Sequence, residues 1–253
     1  MGISSTRSNW TDSTFPQLRR SVFSRTVRIG TVLGRLLLRA AGIGVSVVSG
    51  TVRWVGACLA VTTTARRSRA FGRFARAREL SFNEDGRGQV GESFTRLPLF
   101  QEGEGGTIRF VLAGTFLNAR FRMFDYSPFD VGREWHTVVA FEIRKSRIPN
   151  FAVWPLDAQH RDGPWFGKNN LEVAIPEAPD LAARYVVRGS NPEAVRRLFP
   201  RRALQYFGRT CVWSVEGGGE WLIAYRQDHR CGNRQFESFL KDAWSIFRLF
   251  RLQ

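Results

Sequence analysis

The pattern of apolar and polar residues changes twice along the chain. Between Ala40 and Ala65 the 26 residues include a single charge, Arg53, and the aliphatic residues recur every three or four positions. This spacing predicts a helix with one apolar stripe. The stripe consists of Val45, Val48, Val52, Val55 and Leu59. Residues 66–80 keep the helical period but are rich in arginine, and beyond residue 107 apolar and polar residues alternate as in strands.

The alternating part of the chain predicts an antiparallel sheet. Ile108, Phe110 and Leu112 are expected on one face of the first long strand, and the alternation returns over 120–126, 135–143 and 151–154. Short turn regions separate these segments, which predicts a meander. A hairpin is expected later, around residues 216–220. Pairing by position in that hairpin puts six residues on one face: Cys211, Trp213, Val215, Trp221, Ile223 and Tyr225.

Two helices in the second half are predicted from their end signals and their periodicity. Asn191 is typical of an N-cap, with Pro192 at the first helical position and Glu193 in the first turn. The last helix has an apolar stripe made of Phe236, Phe239, Leu240, Ala243, Phe247 and Phe250. We therefore predict an α+β fold. Its mostly antiparallel sheet, a meander plus a C-terminal hairpin, is covered by helices and preceded by an N-terminal apolar helix.

Charge divides the chain into two unequal parts. Residues 1–80 carry 14 Arg/Lys against 2 Asp/Glu, whereas residues 81–253 carry 24 against 20. A GC-rich bacterial genome explains the preference for arginine over lysine, but it does not explain this placement. We predict four segments: a basic arm over 1–35, a membrane-spanning or membrane-associated helix over 36–65, an Arg-rich juxtamembrane helix over 66–80, and an α+β domain over 81–253.

The apolar segment is a marginal membrane span. A helix of this length measures about 39 Å, against about 30 Å for a hydrocarbon core. Its aliphatic residues contribute roughly −2 to −5 kcal/mol to insertion, and Arg53 near the centre costs about 2.5 to 3.5 kcal/mol. Three placements stay open: across the bilayer, in the headgroup plane, or packed on the downstream domain. Gly42, Ser46 and Gly50 form a small-residue face that suits self-association or a protein partner.

The arginines that follow the apolar segment predict contact with anionic lipid headgroups. Arg66, Arg67, Arg69 and Arg73 join the aliphatic stripe and Arg53 as the predicted membrane-association residues, at about 1 kcal/mol for each basic side chain near the surface. A solvated helical connector is the alternative. The 15 residues after the apolar segment carry six arginines and the 15 before it carry four, which favours a cytoplasmic globular domain. The expected location is the bacterial cell membrane.

No catalytic, cofactor-binding or metal-binding residue is predicted. Glu216 and Glu220 are assigned to the hairpin turn, where carboxylates are normally solvated. The irregular stretch over 156–180 is the best candidate for a binding surface, because loops carry function more often than cores do. Trp154, Trp165 and Phe166 are its predicted contact residues, and a place in the core is the alternative for them.

Several longer motifs occur between about Ala65 and Ile246: ARRSRAFGRFARARELSF, VLAGTF, HTVVAFEI, NFAVWPL, YVVRGSNPEAVRRLF and WSVEGGGEWLIAYR. Together they resemble a family of uncharacterised bacterial membrane-anchored proteins. Members of that family, a domain of unknown function, have an N-terminal membrane helix, an Arg-rich helix and one α+β domain. The resemblance implies a membrane anchor and brings no catalytic residues. This chain departs from it in its long N-terminal arm and in Arg53.

We therefore expect a membrane-anchored, non-enzymatic α+β module that acts through protein or lipid contacts. The first alternative is a nucleic-acid-binding protein whose basic N-terminal region neutralises phosphates. Against it, few aromatic residues lie among those arginines, and no helix-turn-helix or RNA-binding signature is present. The second alternative is an enzyme with a site near residues 156–180.

Overall fold

The α+β class is confirmed. The computed structural model describes residues 63–86, 88, 94, 96–101, 106–128, 135–143, 147–157, 171–210 and 212–250. All of them belong to one unit, Val61–Gln253. The predicted N-terminal apolar helix falls outside the described residues, apart from residues 63–65 at its end.

Antiparallel pairing joins nine strands into one sheet within the described residues. They are β1 (Ser81–Asp85), β2 (Thr107–Phe116), β3 (Ala119–Ser127), β4 (His136–Glu142), β5 (Ile148–Pro155), β6 (Leu171–Glu172), β7 (Tyr185–Gly189), β8 (Ser214–Gly219) and β9 (Trp221–Tyr225). The order across the sheet is β1-β2-β3-β4-β9-β8-β5-β7-β6. The predicted meander therefore ends at β4. The C-terminal hairpin β8–β9 lies between β4 and β5, in the middle of the sheet rather than at its edge.

Five α-helices accompany the sheet in the described part of the chain. Residues 63–77 form α1, followed by α2 (Pro179–Ala182), α3 (Pro192–Arg197), α4 (Arg201–Arg209) and α5 (Phe236–Phe247). Pro98–Gln101 and Arg248–Phe250 are short 3₁₀ helices. The predicted cap of α3 is confirmed, since the Asn191 side chain accepts a hydrogen bond from the Ala194 amide at 3.1 Å.

The two faces of the sheet are covered by different parts of the chain. On the helix face, Phe71 of α1 and Phe236 and Phe247 of α5 pack with sheet residues such as Phe110 and Phe141. The predicted apolar stripe of the last helix is buried there. The other face, which we call the second face, is covered by Phe94 and residues 96–101, and the buried ones among these described residues are Phe94, Leu97, Pro98 and Leu99.

A bulge interrupts the alternation predicted for β2. Between Arg109 and Leu112 the register against β3 shifts, and Phe110 has a positive φ of 58°. Ile108 consequently packs on the second face, while Phe110 and Leu112 both lie in the core of the helix face. An extra residue in one strand reverses the side-chain alternation beyond it. The prediction that Ile108 shares a face with Phe110 and Leu112 is therefore wrong.

The register of the central hairpin also differs from the prediction. Val215 lies opposite Ala224, Glu216 opposite Ile223 and Gly218 opposite Trp221, so the turn consists of Gly219 and Glu220 alone. Val215 thus faces the helix side, away from Ile223 and Tyr225. A one-residue slip moves every side chain of a strand to the other face. Glu216 is consequently a fully buried strand residue, not a solvated turn residue.

Candidate functional site

Helix α1 has two chemically different faces. Arg66, Arg69, Arg73 and Arg76 are exposed, and they follow one another at steps of three and four residues. Such steps align side chains on one side of a helix. We call these four residues the arginine row. Ala70, Phe71 and Ala75 lie on the opposite side and are buried.

The buried side of α1 is part of the core of the sheet domain. The Phe71 ring lies 4.4 Å from the Phe236 ring and 5.7 Å from the Phe110 ring, measured between centroids. Phe74 also packs against Phe236, at 5.6 Å. Residues on either side of the predicted domain boundary at residue 81 therefore share one core, and the position of α1 is fixed by the sheet and by α5.

Among the described arginines of the predicted membrane-association set, Arg67 alone is buried and lies in this core. Its Nε donates to Asp125 Oδ2 at 2.9 Å and its Nη2 to Asp125 Oδ1 at 2.8 Å. The guanidinium also lies 4.7 Å from the centroid of the Phe71 ring and 4.8 Å from that of Phe236. Planar, two-pronged pairing and aromatic stacking are what arginine provides and lysine does not. This side chain therefore binds α1 to β3, and it does not face solvent.

Further donors complete the environment of the Asp125 carboxylate. Arg230 Nε donates to Oδ2 at 2.7 Å, and the Thr137 hydroxyl donates to Oδ1 at 2.9 Å. The Cys231 amide donates in turn to the Thr137 hydroxyl at 3.0 Å. Asp125 is fully buried, and a buried carboxylate needs such partners to offset its desolvation. These contacts give Asp125 a structural role in joining α1, β3, β4 and residues 230–231.

Burial makes the Cys231 thiol unreactive. It raises the pKa of Cys231 to about 12, although the nearby positive charge of Arg67 opposes the change. Since the thiolate is the reactive form, this cysteine is not suited to nucleophilic or redox chemistry near neutral pH. Within the described ranges no group of three or more His, Cys, Asp and Glu residues is placed to hold a metal ion.

The outward face of α1 is strongly cationic. None of the four guanidinium groups of the arginine row pairs with a carboxylate among the described residues, and Arg69 Nε donates to the Ala65 carbonyl at 3.1 Å. Arg78, just beyond the helix, does have an acidic partner in Glu237. At about 1.5 Å of rise per residue the row extends over roughly 15 Å. It is therefore a linear cationic surface suited to several separate anions or to an anionic plane.

The predicted binding surface is only partly described. Trp154 is buried on the second face, where its indole Nε1 donates to Glu216 Oε1 at 3.0 Å, so it belongs to the core. Trp165 and Phe166 lie outside the described residues. Glu216 also accepts from the Tyr225 hydroxyl at 2.7 Å and, through Oε2, from the Leu99 amide at 2.9 Å.

The residues of the apolar segment lie outside the described part of the chain. They include the valine stripe, Leu59, Arg53 and the small-residue face of Gly42, Ser46 and Gly50. Among the residues that the structure does describe, no helix combines the length and the apolar character needed to cross a bilayer.

Comparison with known proteins gives one similar structure. No protein-family model matches the chain, and no curated protein sequence matches it. The fold is similar to that in the crystal structure of the mycobacterial trehalose monomycolate transport factor A, TtfA, with a TM-score of 0.53 and 16% sequence identity. The similarity covers 74% of this chain and 95% of that chain. At this identity the similarity extends to the fold alone.

Proposed function

We propose that the chain is a membrane-associated, non-enzymatic α+β module whose arginine row contacts anionic lipid headgroups. The observation that carries the proposal is the division of α1 into a buried face and a face of four exposed arginines without carboxylate partners in the described region. The apolar segment precedes this helix directly in sequence. If an apolar helix lies in lipid and the next turns of the chain carry such a row, the positive charges lie at the level of the headgroups.

Electrostatics favour contact between the arginine row and an anionic surface. Exposed arginines of like charge repel one another, and basic side chains gain about 1 kcal/mol each near an anionic bilayer. The inner face of α1 holds the helix on the sheet, so the row is presented with little loss of backbone freedom on binding. In this proposal the valine stripe supplies the apolar contact, the Gly42, Ser46 and Gly50 face allows self-association, and the globular domain is cytoplasmic.

Two further observations support a module that binds rather than catalyses. The carboxylates of the buried Asp125 and Glu216 accept hydrogen bonds from donors of the domain itself. The neighbour in fold, TtfA, is by its name a transport factor for trehalose monomycolate. A role in transport or assembly at a membrane is consistent with both.

Vesicle binding of the full-length protein tests the role of the row. We expect a preference for vesicles with phosphatidylglycerol over vesicles of phosphatidylcholine alone. Changing Arg66, Arg69, Arg73 and Arg76 together to Gln should abolish this preference, a loss of up to about three orders of magnitude at about 1 kcal/mol per residue. The matched control changes the same number of exposed arginines elsewhere: Arg197, Arg201, Arg209 and Arg234. Equal loss in both variants would point to net charge alone and contradict the proposal.

Fractionation of cells tests the membrane association itself. We expect the full-length protein in the membrane pellet, resistant to high salt and to nuclease. Extraction by carbonate would assign the apolar segment to the membrane surface, and extraction by detergent alone would assign it to the bilayer interior. Release by salt or nuclease would instead indicate a nucleic-acid partner and overturn the proposal.

A further inference from the structure

A tryptophan flanked by two arginines lies at the end of the sheet where α1 begins. Trp135 directly precedes β4 and is only partly buried. The Arg230 guanidinium carbon lies 5.3 Å from the centroid of its ring, and that of Arg109 lies 5.7 Å from the same ring. Guanidinium groups within about 6 Å of an indole are attracted by the ring. We call these three residues the tryptophan cluster, in which the arginines hold the indole at the surface of the domain.

The Asp125 carboxylate connects the tryptophan cluster to the start of α1. Arg230 Nε donates to Oδ2 at 2.7 Å, and the buried Arg67 of α1 donates to both oxygens of the same carboxylate. Residues 63–65, the first three of α1, are also the last three of the predicted membrane-spanning or membrane-associated helix. The tryptophan cluster therefore lies beside the turns of α1 that follow directly on the apolar segment.

The charges around the cluster are nearly balanced. Asp125 neutralises one of its two arginine partners, Arg67 and Arg230. Arg109 makes no ion pair among the described residues, but Asp85 lies opposite it on β1. The excess of positive charge at this end is therefore too small to select an anion by itself. The distinctive group of the cluster is the indole, which combines an apolar body with one polar N–H.

We propose that the tryptophan cluster is a second membrane contact, in which the Trp135 indole enters the headgroup layer of the bilayer that the arginine row contacts. The inference rests on the proposed function and adds a specific anchor to it. Tryptophan is enriched at membrane–water interfaces because its ring is apolar with one polar end. The arginine stems pack along the ring while their charged ends stay with water and headgroups. Arg66, the first residue of the row, is next to Arg67 in sequence, so the row and the cluster meet at the start of α1.

Fluorescent labels at the two ends of the strands test which end meets the bilayer. In full-length protein with Cys58→Ser and Cys211→Ser, Cys231 stays buried, so Asp85→Cys and Leu117→Cys each add one accessible thiol. Asp85 is exposed at the end of β1 beside the cluster, and its change leaves all three cluster residues in place. Leu117, exposed in the turn between β2 and β3 at the opposite end, is the control. On phosphatidylglycerol vesicles, lipids with a nitroxide on the headgroup should quench the label at 85 and not the label at 117.

Substitutions measure what the cluster contributes to binding of the full-length protein to the same vesicles. Trp135→Ala should weaken binding about tenfold, because the ring no longer enters the interface, and Trp135→Phe should weaken it less. Leu117→Ala removes an exposed apolar side chain from the other end and should leave binding unchanged. Arg109→Gln should weaken binding about fivefold, and Arg201→Gln, exposed on α4, should not.

The second contact and the proposed function fail in different ways. Binding that depends on the arginine row, with the label at 85 quenched no more than the label at 117, would overturn the second contact alone. Unchanged binding of Trp135→Ala, or equal losses in Trp135→Ala and Leu117→Ala, would overturn it as well. Absence of any binding to phosphatidylglycerol vesicles would overturn both. The label test leaves Trp135 in place, so it decides even if Trp135→Ala does not fold.

Discussion

The Arg67 guanidinium donates to both carboxylate oxygens of Asp125, at 2.9 and 2.8 Å, across 58 residues of sequence. Both side chains are buried, so the pair is shielded from screening by salt. It fixes the first described helix to the third strand of the sheet. This pair and the packing of Phe71 on Phe236 therefore attach α1 to the rest of the domain.

We predict that Arg67→Met destabilises the domain. Methionine fills the space between the Phe71 and Phe236 rings but leaves Asp125 buried without its two-pronged partner. Removal of one member of a buried pair costs about 3 to 5 kcal/mol. Urea unfolding of the full-length protein, followed by tryptophan fluorescence, measures the loss. Arg69→Met is the matched control, two residues along and exposed, and should change stability by no more than about 0.5 kcal/mol. Equal effects of the two changes would show that the pair is not the attachment point.

Glu216 and Glu220 give a second matched pair of substitutions. Glu216→Gln places an NH₂ group among three donors, so one of them loses its acceptor in the interior. A buried unsatisfied polar group costs about 1 to 3 kcal/mol. Glu220 lies in the exposed hairpin turn, and Glu220→Gln should be neutral within about 0.5 kcal/mol. Differential scanning calorimetry measures the stability of both variants. An unchanged stability in Glu216→Gln would contradict the hydrogen bonds assigned to Glu216.

Local periodicity explains what the sequence predicts correctly. Strands β3 and β4, the Asn191 cap and the last helix each depend on residues close in sequence, whose spacing is visible without the fold. The position of the β8–β9 hairpin in the middle of the sheet depends on pairing with β4 and β5, which are distant in sequence. No local pattern encodes that order.

The predictions for Glu216 and Arg67 differ from the structure for different physical reasons. The three glycines after Glu216 are typical of a turn, whereas Gly217 and Gly218 pair with β9 and pack closely against other side chains. Composition alone groups Arg67 with its arginine neighbours. Residues three and four apart share one side of a helix. Arg67 is therefore on the side of Phe71 and Phe74, and this spacing distinguishes it from Arg66 and Arg69.

Gly217 in β8 and Gly72 in α1 allow stability predictions of opposite sign. A Cβ at Gly217 would overlap the Phe151 ring and lie 2.6 Å from Ile148, so Gly217→Ala should destabilise by about 1 to 3 kcal/mol through overpacking. At Gly72, inside α1, a Cβ would meet Phe82 at an ordinary 3.7 Å. Gly72→Ala should therefore stabilise by about 0.5 to 1 kcal/mol, since alanine loses less conformational entropy in a helix. Urea unfolding of both variants checks the signs, and stabilisation by Gly217→Ala would show that the β5–β8 packing is wrong.

Reactivity of the Cys231 thiol tests the interior around Asp125. In a variant with Cys58→Ser and Cys211→Ser, Cys231 is the remaining cysteine, and its reaction with a disulfide reagent near neutral pH should be much slower in the folded protein than in urea. Burial raises its pKa from 9.0 to about 12, so the unfolded chain loses the thiol proton first as the pH rises. The contribution of the neutral thiol to stability is therefore fully present below about pH 9 and is lost between pH 9 and 12. In the same background, Cys231→Ala should remove this part of the pH dependence. Rapid modification of the folded protein would show instead that the segment carrying Arg230 and Cys231 opens readily, and that Arg230 is not a lasting partner of Asp125.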